Sequence, residues 1–353
     1  MTTSISLPQH APEALYTAKV SVDSGQKVSV KTLPLVGMDL STASPYEDDP
    51  YAFSQQLLAQ NSHLLPSPQS ESSSLAGFHS VLTDTPVDWE EIQGASRQLQ
   101  RDFKLSDDDY MSMGRRLSRA NTGQTTTPPH INALEDLIES IHGDYQQTYA
   151  KINEKAAEFM KDANTAIGKL SGYIEAGSDG KIYFTGYSFM NDMIKTLGKY
   201  INFGATNPPA SYFKDWAEGN SPALPIHTFN GDDKALNFWQ RKLGDGFVVQ
   251  RGADQKIEIL PSLGPIKNII KTVHTSGAYH QSTGSADWNK YAMSSQVFQS
   301  LQTAIDSQKN SINSGISQLL EKFRQDNSTF ETMIQLLTKM TEDLHRYNAG
   351  YLQ

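Results

Sequence analysis

The chain has 353 residues and a formal net charge of −9, with 37% hydrophobic and 20% charged residues. An acidic chain argues against a general nucleic-acid binder, which needs a basic face to release counterions. The absence of cysteine removes disulfides, Cys-ligated metals and a Cys nucleophile, and the modest apolar content suits a long, thin helical protein better than a compact globule.

No apolar run of about 18 residues occurs, so no transmembrane helix is expected. The opening MTTSISLPQHAPEALY lacks the basic start and apolar stretch of a cleaved secretory signal. Residues 1–50, rich in Ser, Thr, Pro and acidic groups, read as a disordered export-signal region. Residues 51–129 read as an N-terminal helical region with its linker. One helix is expected over Tyr51–Gln60. A second runs over Asp88–Phe103, with Asp88 as N-cap and Glu91 at capping-box spacing. A third begins at Ser106, with acids in its first turn and arginines in its last. NTGQTTTPP, residues 121–129, is the linker.

Residues 130–176 carry apolar residues at spacings of three and four, among them Ile138, Ile141, Ile152 and Phe159. They predict one helix of about 45 residues, roughly 65 Å long, closed by Gly177. Residues 287–353 hold a longer heptad-like pattern through Leu301, Ile312, Leu319, Phe323, Phe330 and Leu337 without a proline. A helix of that length is not stable by propensity alone, and the 130–176 helix is its natural partner. The two are expected to form a long intramolecular coiled coil, with Gln308 and the Asp326–Asn327 pair as polar breaks in the seam. Residues 177–286 differ in composition. KIYFTG (181–186), FVVQR (247–251) and KIEIL (256–260) read as strands, and 187–200, 235–243 and 265–273 as short helices. The fold class expected is mostly α: a long intramolecular coiled coil with an inserted small mixed α/β domain and an N-terminal helical region.

Chemistry-bearing motifs are sparse. His274 and His280 are six apart with no third ligand nearby, and HExxH, the phosphate-binding P-loop and GxSxG are missing. Gly244-Asp245-Gly246 precedes a strand instead of following one, so it reads as a turn. Asp107–Asp109 and Glu47–Asp49 lack the spacing of a calcium loop and read as solvated. Trp216, Trp239 and Trp288 read as packing residues. No enzyme, cofactor or metal site is expected.

The C-terminal two thirds resemble the type III secretion needle-tip proteins of the IpaD/SipD/BipD kind. The strongest segment is Leu320–Phe330, LEKFRQDNSTF, followed by Glu331–Lys339. It is similar to the family pattern EKY…NS.FDNLVKVLS, with Phe323 as the aromatic, Asn327-Ser328 as the Asn-Ser pair and Phe330 as the next aromatic. DWNKY (287–291) resembles the family's entry to its last helix. ALNFWQRKL (235–243), FVVQ and KIEILPSLGPIKNII resemble its succession of central motifs, and Tyr351-Leu352-Gln353 resembles its C-termini. The resemblance implies a secreted protein at the bacterial surface that caps the needle as a small ring, regulates secretion and supports translocon assembly at a host membrane. Its implied partners are the needle protein, translocator proteins and further copies of itself, with a bile salt as a candidate ligand and no nucleic acid. The N-terminal helices would act as a self-chaperone over the coiled coil. Where the last helix outruns its partner, Lys339, Asp343, Leu344, Tyr347 and Leu352 form the expected needle-contact set. The competing reading is a coiled-coil membrane-acting translocator or toxin.

Overall fold

The computed structural model describes residues 49–62, 65, 88–120, 129–206, 208–278 and 290–350. The expected export region up to residue 48, the 121–128 linker, His280, Trp288 and Leu352 lie outside them. The architecture is mostly α, with two small antiparallel sheets between the segments that form its long helical pair.

Helix α1 (Pro50–Gln60) is capped by the Asp49 carboxylate, which accepts from the backbone N–H of Tyr51 and Ala52 at 3.0 and 3.1 Å. Helix α2 is a single span, Trp89–Ala120, where the sequence suggested two. Asp88 does cap it, accepting from the Glu90 N–H at 3.0 Å. Ser106 is not a cap. It lies buried in mid-helix, its hydroxyl oxygen 2.9 Å from the Asp102 carbonyl of its own helix and facing the last helix on the other side. The two halves join because Ile92, Ser96, Leu99, Phe103, Ser106, Tyr110, Met113 and Leu117 continue one heptad stripe through the supposed boundary, with all but half-buried Tyr110 fully covered.

The first rod segment is less regular than the periodicity suggested. Helix α3 (Pro129–Ile141) passes through a π turn, His142–Gln146, into α4 (Gln147–Gly168), and a 3-10 turn, Lys169–Tyr173, ends it. Ile174–Ala176 is strand β1, so the helix stops before Gly177. Strand pairing wins here: β1 sits antiparallel against β2 (Lys181–Phe184), with Ile174 opposite Phe184. The other edge of β2 pairs with β6 (Tyr291–Ser294), which occupies what the sequence offered as the start of the last helix. Helix α9 then runs Ser295–Gly350.

Segments α3–α4 and α9 lie antiparallel. Phe323 packs on Tyr149 at 4.2 Å, and Asn164 donates to Asn313 fifteen residues further along α4, at 2.7 Å. Ile138, Ile141, Ile152 and Phe159 on one side, and Leu301, Ile312, Leu319, Phe323, Phe330 and Leu337 on the other, are all buried. Each such side chain is worth about 1.5–3 kcal/mol of apolar transfer.

Between the rod segments come α5 (Gly186–Thr196), α6 (Ala210–Glu218), β3 (His227–Phe229), α7 (Asp233–Leu243), β4 (Phe247–Arg251), β5 (Ile257–Pro261) and α8 (Gly264–Thr275). The second sheet has the order β3-β5-β4. Helix α6 and strand β3 were not foreseen; each is short, and β3 depends on its partner β5 for definition. Two apolar cores result. One gathers α1, α2, α3, the N-terminal part of α4, α7, β4, β5 and the C-terminal half of α9 around Phe323 and Phe330. The other gathers α5, α6, α8 and the N-terminal half of α9. The tryptophans divide between them: Trp239 is in the first and Trp216 in the second.

Candidate functional site

Two parts of the first core carry polar chemistry. The junction of α1, α4, α7 and α9 is the more buried. Asp326, in the seam of α9, is 2% exposed. Its carboxylate pairs with the Lys242 ammonium of α7 at 2.5 Å and accepts from the Tyr149 hydroxyl of α4. Lys242 also stands over the rings of Tyr51 and Phe238, at 5.6 and 5.8 Å, a favourable site for a desolvated cation. Burial pushes the Asp326 carboxyl up, and Lys242 and Tyr149 pull it back. Burial, with the nearby Asp326 charge, raises the Tyr149 and Tyr51 hydroxyls well above their usual range. Removing one member of such a pair strands a buried charge, so the pair fixes register more than it adds stability. The polar break at Asp326 is therefore the point where α7 is clamped to the rod. Close backbone packing supports the clamp: a Cβ on Gly315 of α9 would lie 3.4 Å from the Gly246 Cα, just before β4. Gln308, the other predicted break, accepts from Asn268 Nδ2 of α8 at 3.2 Å.

The second part is the face that α2 lays on the rod. Ser96 donates to Asn153 Oδ1 at 2.9 Å, and Asn153 Nδ2 donates back to the Ser96 carbonyl and to Gln100 Oε1, at 3.1 and 3.0 Å. Nearly three turns further along α2, Ser106 Oγ lies 3.0 Å from Asn327 Oδ1 and 2.7 Å from Glu331 Oε1. Asn327 Nδ2 donates to the same Glu331 oxygen at 2.8 Å. His142, in the π turn, stacks on Tyr110 with ring centroids 3.9 Å apart and meets Asp107 Oδ1 at 2.6 Å. Asp107 is therefore engaged with the rod, not merely solvated. Burial raises the Glu331 carboxyl, with Asp102 adding to it and Ser106 opposing. The Asn-Ser-aromatic motif recognised in the sequence thus meets α2 through Asn327 and packs Phe330 at the π turn, 6.1 Å from His142.

Beyond these contacts a groove of about 280 Å³ opens between the ends of α2 and α9, lined by Met113, Arg116, Leu117, Thr338, Thr341, Glu342 and His345. Arg116 bridges it to Glu342 at 3.7 Å, both well exposed. Of the predicted contact residues, Lys339, Asp343 and Leu344 are on the same stretch of α9 but do not line the groove. Lys339 and Leu344 are half-buried, Leu344 packing against the first core, and Asp343 is exposed with Arg346 at 3.7 Å. Tyr347 lies on the helix. The sequence reading missed Met113, Arg116 and Leu117. The signal was there in the i, i+4 pair Met113–Leu117, but splitting α2 hid the stripe. Among the described residues no group of three metal-ligating side chains occurs, and no helix is long and apolar enough to cross a membrane.

No protein-family model matches the chain, and no curated protein matches it. Solved structures do. The chain is similar to BipD of Burkholderia pseudomallei, with 15% identity and a TM-score of 0.47 over 74% of this chain and 82% of that one. A near-atomic-resolution structure of BipD, a component of the type III secretion system of that organism, gives 15% identity and a TM-score of 0.45 over 73% and 79%. A pathogenicity island 1 effector protein from Chromobacterium violaceum gives 15% identity and a TM-score of 0.43 over 83% and 91%. The solved structures it is similar to thus include one of the proteins named in the sequence resemblance.

Proposed function

We propose that this chain is a type III secretion needle-tip protein: a secreted, non-enzymatic scaffold that caps the needle, regulates secretion and supports translocon assembly at a host membrane. Its α2 serves as the self-chaperone cover of the rod. The observation that carries this reading is the segment Glu321–Phe330, whose motif resembles the tip family and whose Asn327 and Phe330 stand at the seam between α2 and the rod. The α2 interface joins its apolar stripe to serine, asparagine and buried carboxylate contacts, and water replaces the hydrogen bonds of the latter when a cover opens. The needle-facing surface in this reading is the last turns of α9, with Lys339, Asp343, Leu344, Tyr347 and Leu352, and the unit boundaries follow the sequence divisions at 50, 129, 176 and 286.

The test is surface display. The full chain is expected on bacteria only when needles are present, and a chain lacking Leu344–Gln353 is expected to keep its helix content and lose needle attachment. Normal attachment of the truncated chain would remove the assigned contact surface. Liposome leakage by the purified protein alone would favour the membrane-acting alternative.

A further inference from the structure

Helix α1 is held as an anchored ligand would be. Tyr51, Ser54, Leu57 and Leu58 are its buried residues, the i, i+3, i+6 and i+7 positions of a helix lying in a groove. The Tyr51 ring is fully buried in a socket formed by Tyr145 and Tyr149 of the rod, at 6.1 and 5.5 Å, and Phe238 of α7, at 6.3 Å, with the Lys242 ammonium over it. Among the described residues the buried Tyr51 hydroxyl has no hydrogen-bond partner, so the socket takes the ring alone. Outside the socket, Gln55 Nε2 donates to Thr329 Oγ1 of α9 at 3.3 Å. These partners belong to the rod and to α7, so the seat is complete without α2 and without the chain that tethers α1.

The tether is long. The seat extends to Leu65, which packs against the same core, and residues 66–88 then lead to α2. Fully extended at ~3.3 Å per residue, they reach on the order of 75 Å, several times the ~10 Å width of a helix. Exchange of an identical element between copies makes the same contacts and leaves only the tether to decide which copy supplies it.

We propose that the α1 seat is an interaction surface for a second copy of this chain, filled in trans by the neighbour's α1 when the protein self-associates. The proposal rests on the self-association in the reading above. Each protomer then holds its neighbour through Tyr51 in the aromatic socket, and α1 becomes a strap between copies in place of a cover on its own rod.

A chain without cysteine gives a clean test. Two full-length variants are made, Gln55→Cys on α1 and Gln325→Cys on α9, one turn from Thr329, each with a different affinity tag. They are treated together with a short bismaleimide, both as concentrated purified protein and on bacteria co-expressing them. Because each chain carries one thiol, a product with both tags forms only in trans. The expected result is a mixed dimer at several times the level of same-variant dimers when each variant is treated alone, lost when Tyr51→Ala is added to the Gln55→Cys chain. A chain carrying both Gln55→Cys and Gln325→Cys that closes within single chains, with no mixed dimer of the single variants above background in either setting, would overturn the proposal. A mixed dimer in solution from a chain that never reaches needles would instead sink the tip reading and leave the exchange standing.

Discussion

Helices α2 and α8 both lie on α9, but they are held by different chemistry. The 12-residue α8 presents Ile266, Ile269, Ile270 and Val273, all fully buried, to the second core. The 32-residue α2 presents Ile92, Leu99, Phe103, Met113 and Leu117, but interrupts them with Ser96 and Ser106 at seam positions that could have been apolar. Those serines meet Asn153, Asn327 and Glu331 on the rod. An apolar contact has no partner in water, so α8 leaves only at the cost of its transfer free energy. Serine and asparagine exchange protein partners for water at about 0.5–1.5 kcal/mol net per bond. The short helix is thus bound through an apolar face alone, and the long one through an apolar stripe whose polar breaks define its position. Its seam pairs also set register, because a slip of one turn would part Ser106 from Asn327 and Glu331 and Ser96 from Asn153.

The largest expected effect falls on the apolar side. Ile269→Ala removes a fully buried side chain and should lower global stability by about 2–5 kcal/mol through lost transfer and the cavity left behind. Denaturant melts of the full chain measure it, and a loss below about 1 kcal/mol would undo the contrast drawn for α8. The α2 side should give less. Asn153→Ala strips the Ser96 hydroxyl and the Gln100 side chain of a partner, for about 1–3 kcal/mol. That loss should appear mainly as faster amide exchange in residues 89–120, with the second core unchanged. If exchange rises equally in α2 and α8, the two helices open as one unit and the distinction fails.

How much of this was legible in the sequence follows from where each signal lies. The helical pair, though not its antiparallel sense, was readable because an apolar stripe as long as that through Leu301, Leu319 and Leu337 has to be covered, and residues 130–176 hold a stripe to cover it. Strands β4 and β5 were readable from their β-branched runs. Strands β1 and β6 were not: IEA and YAMS carry no alternation, and they become strands by pairing with β2. The π turn was hidden because an extra residue within a turn leaves the three-and-four spacing nearly intact. At the candidate site, Asp326 and Asn327 were visible as breaks in the seam, but their partners were not. Lys242 lies 84 positions away on another element, and Ser106 resembled a helix start because the acids after it are what a first turn would hold. The residues lining the groove at the ends of α2 and α9 were lost with that false boundary.

The smallest expected effect tests the comparison by pH. Glu331 sits where α2 covers α9, and burial raises its carboxyl above the ordinary 4.5, with Asp102 adding to the rise and Ser106 and Asn327 opposing it. A carboxyl raised in the folded state binds its proton more tightly there than in the unfolded chain. Its favourable contribution is therefore complete below the ordinary carboxylate value and lost as pH rises through the raised one. Asp326, also raised by burial, acts in the same direction at the α7 clamp. Among the described residues no raised carboxyl is found on α8, whose shifted acid–base groups, Lys267 and His274, are both lowered by burial and titrate with the opposite charge. Protection of α2 against exchange should thus weaken as pH rises out of the acid carboxylate range, by more than that of α8. Glu331→Gln, which keeps an acceptor for Ser106 without the charge, should flatten this dependence for α2 and leave α8 as it was. An unchanged α2 profile in that variant would mean that the buried carboxylate does not govern how firmly the cover is held, and the polar seam would then act by register alone.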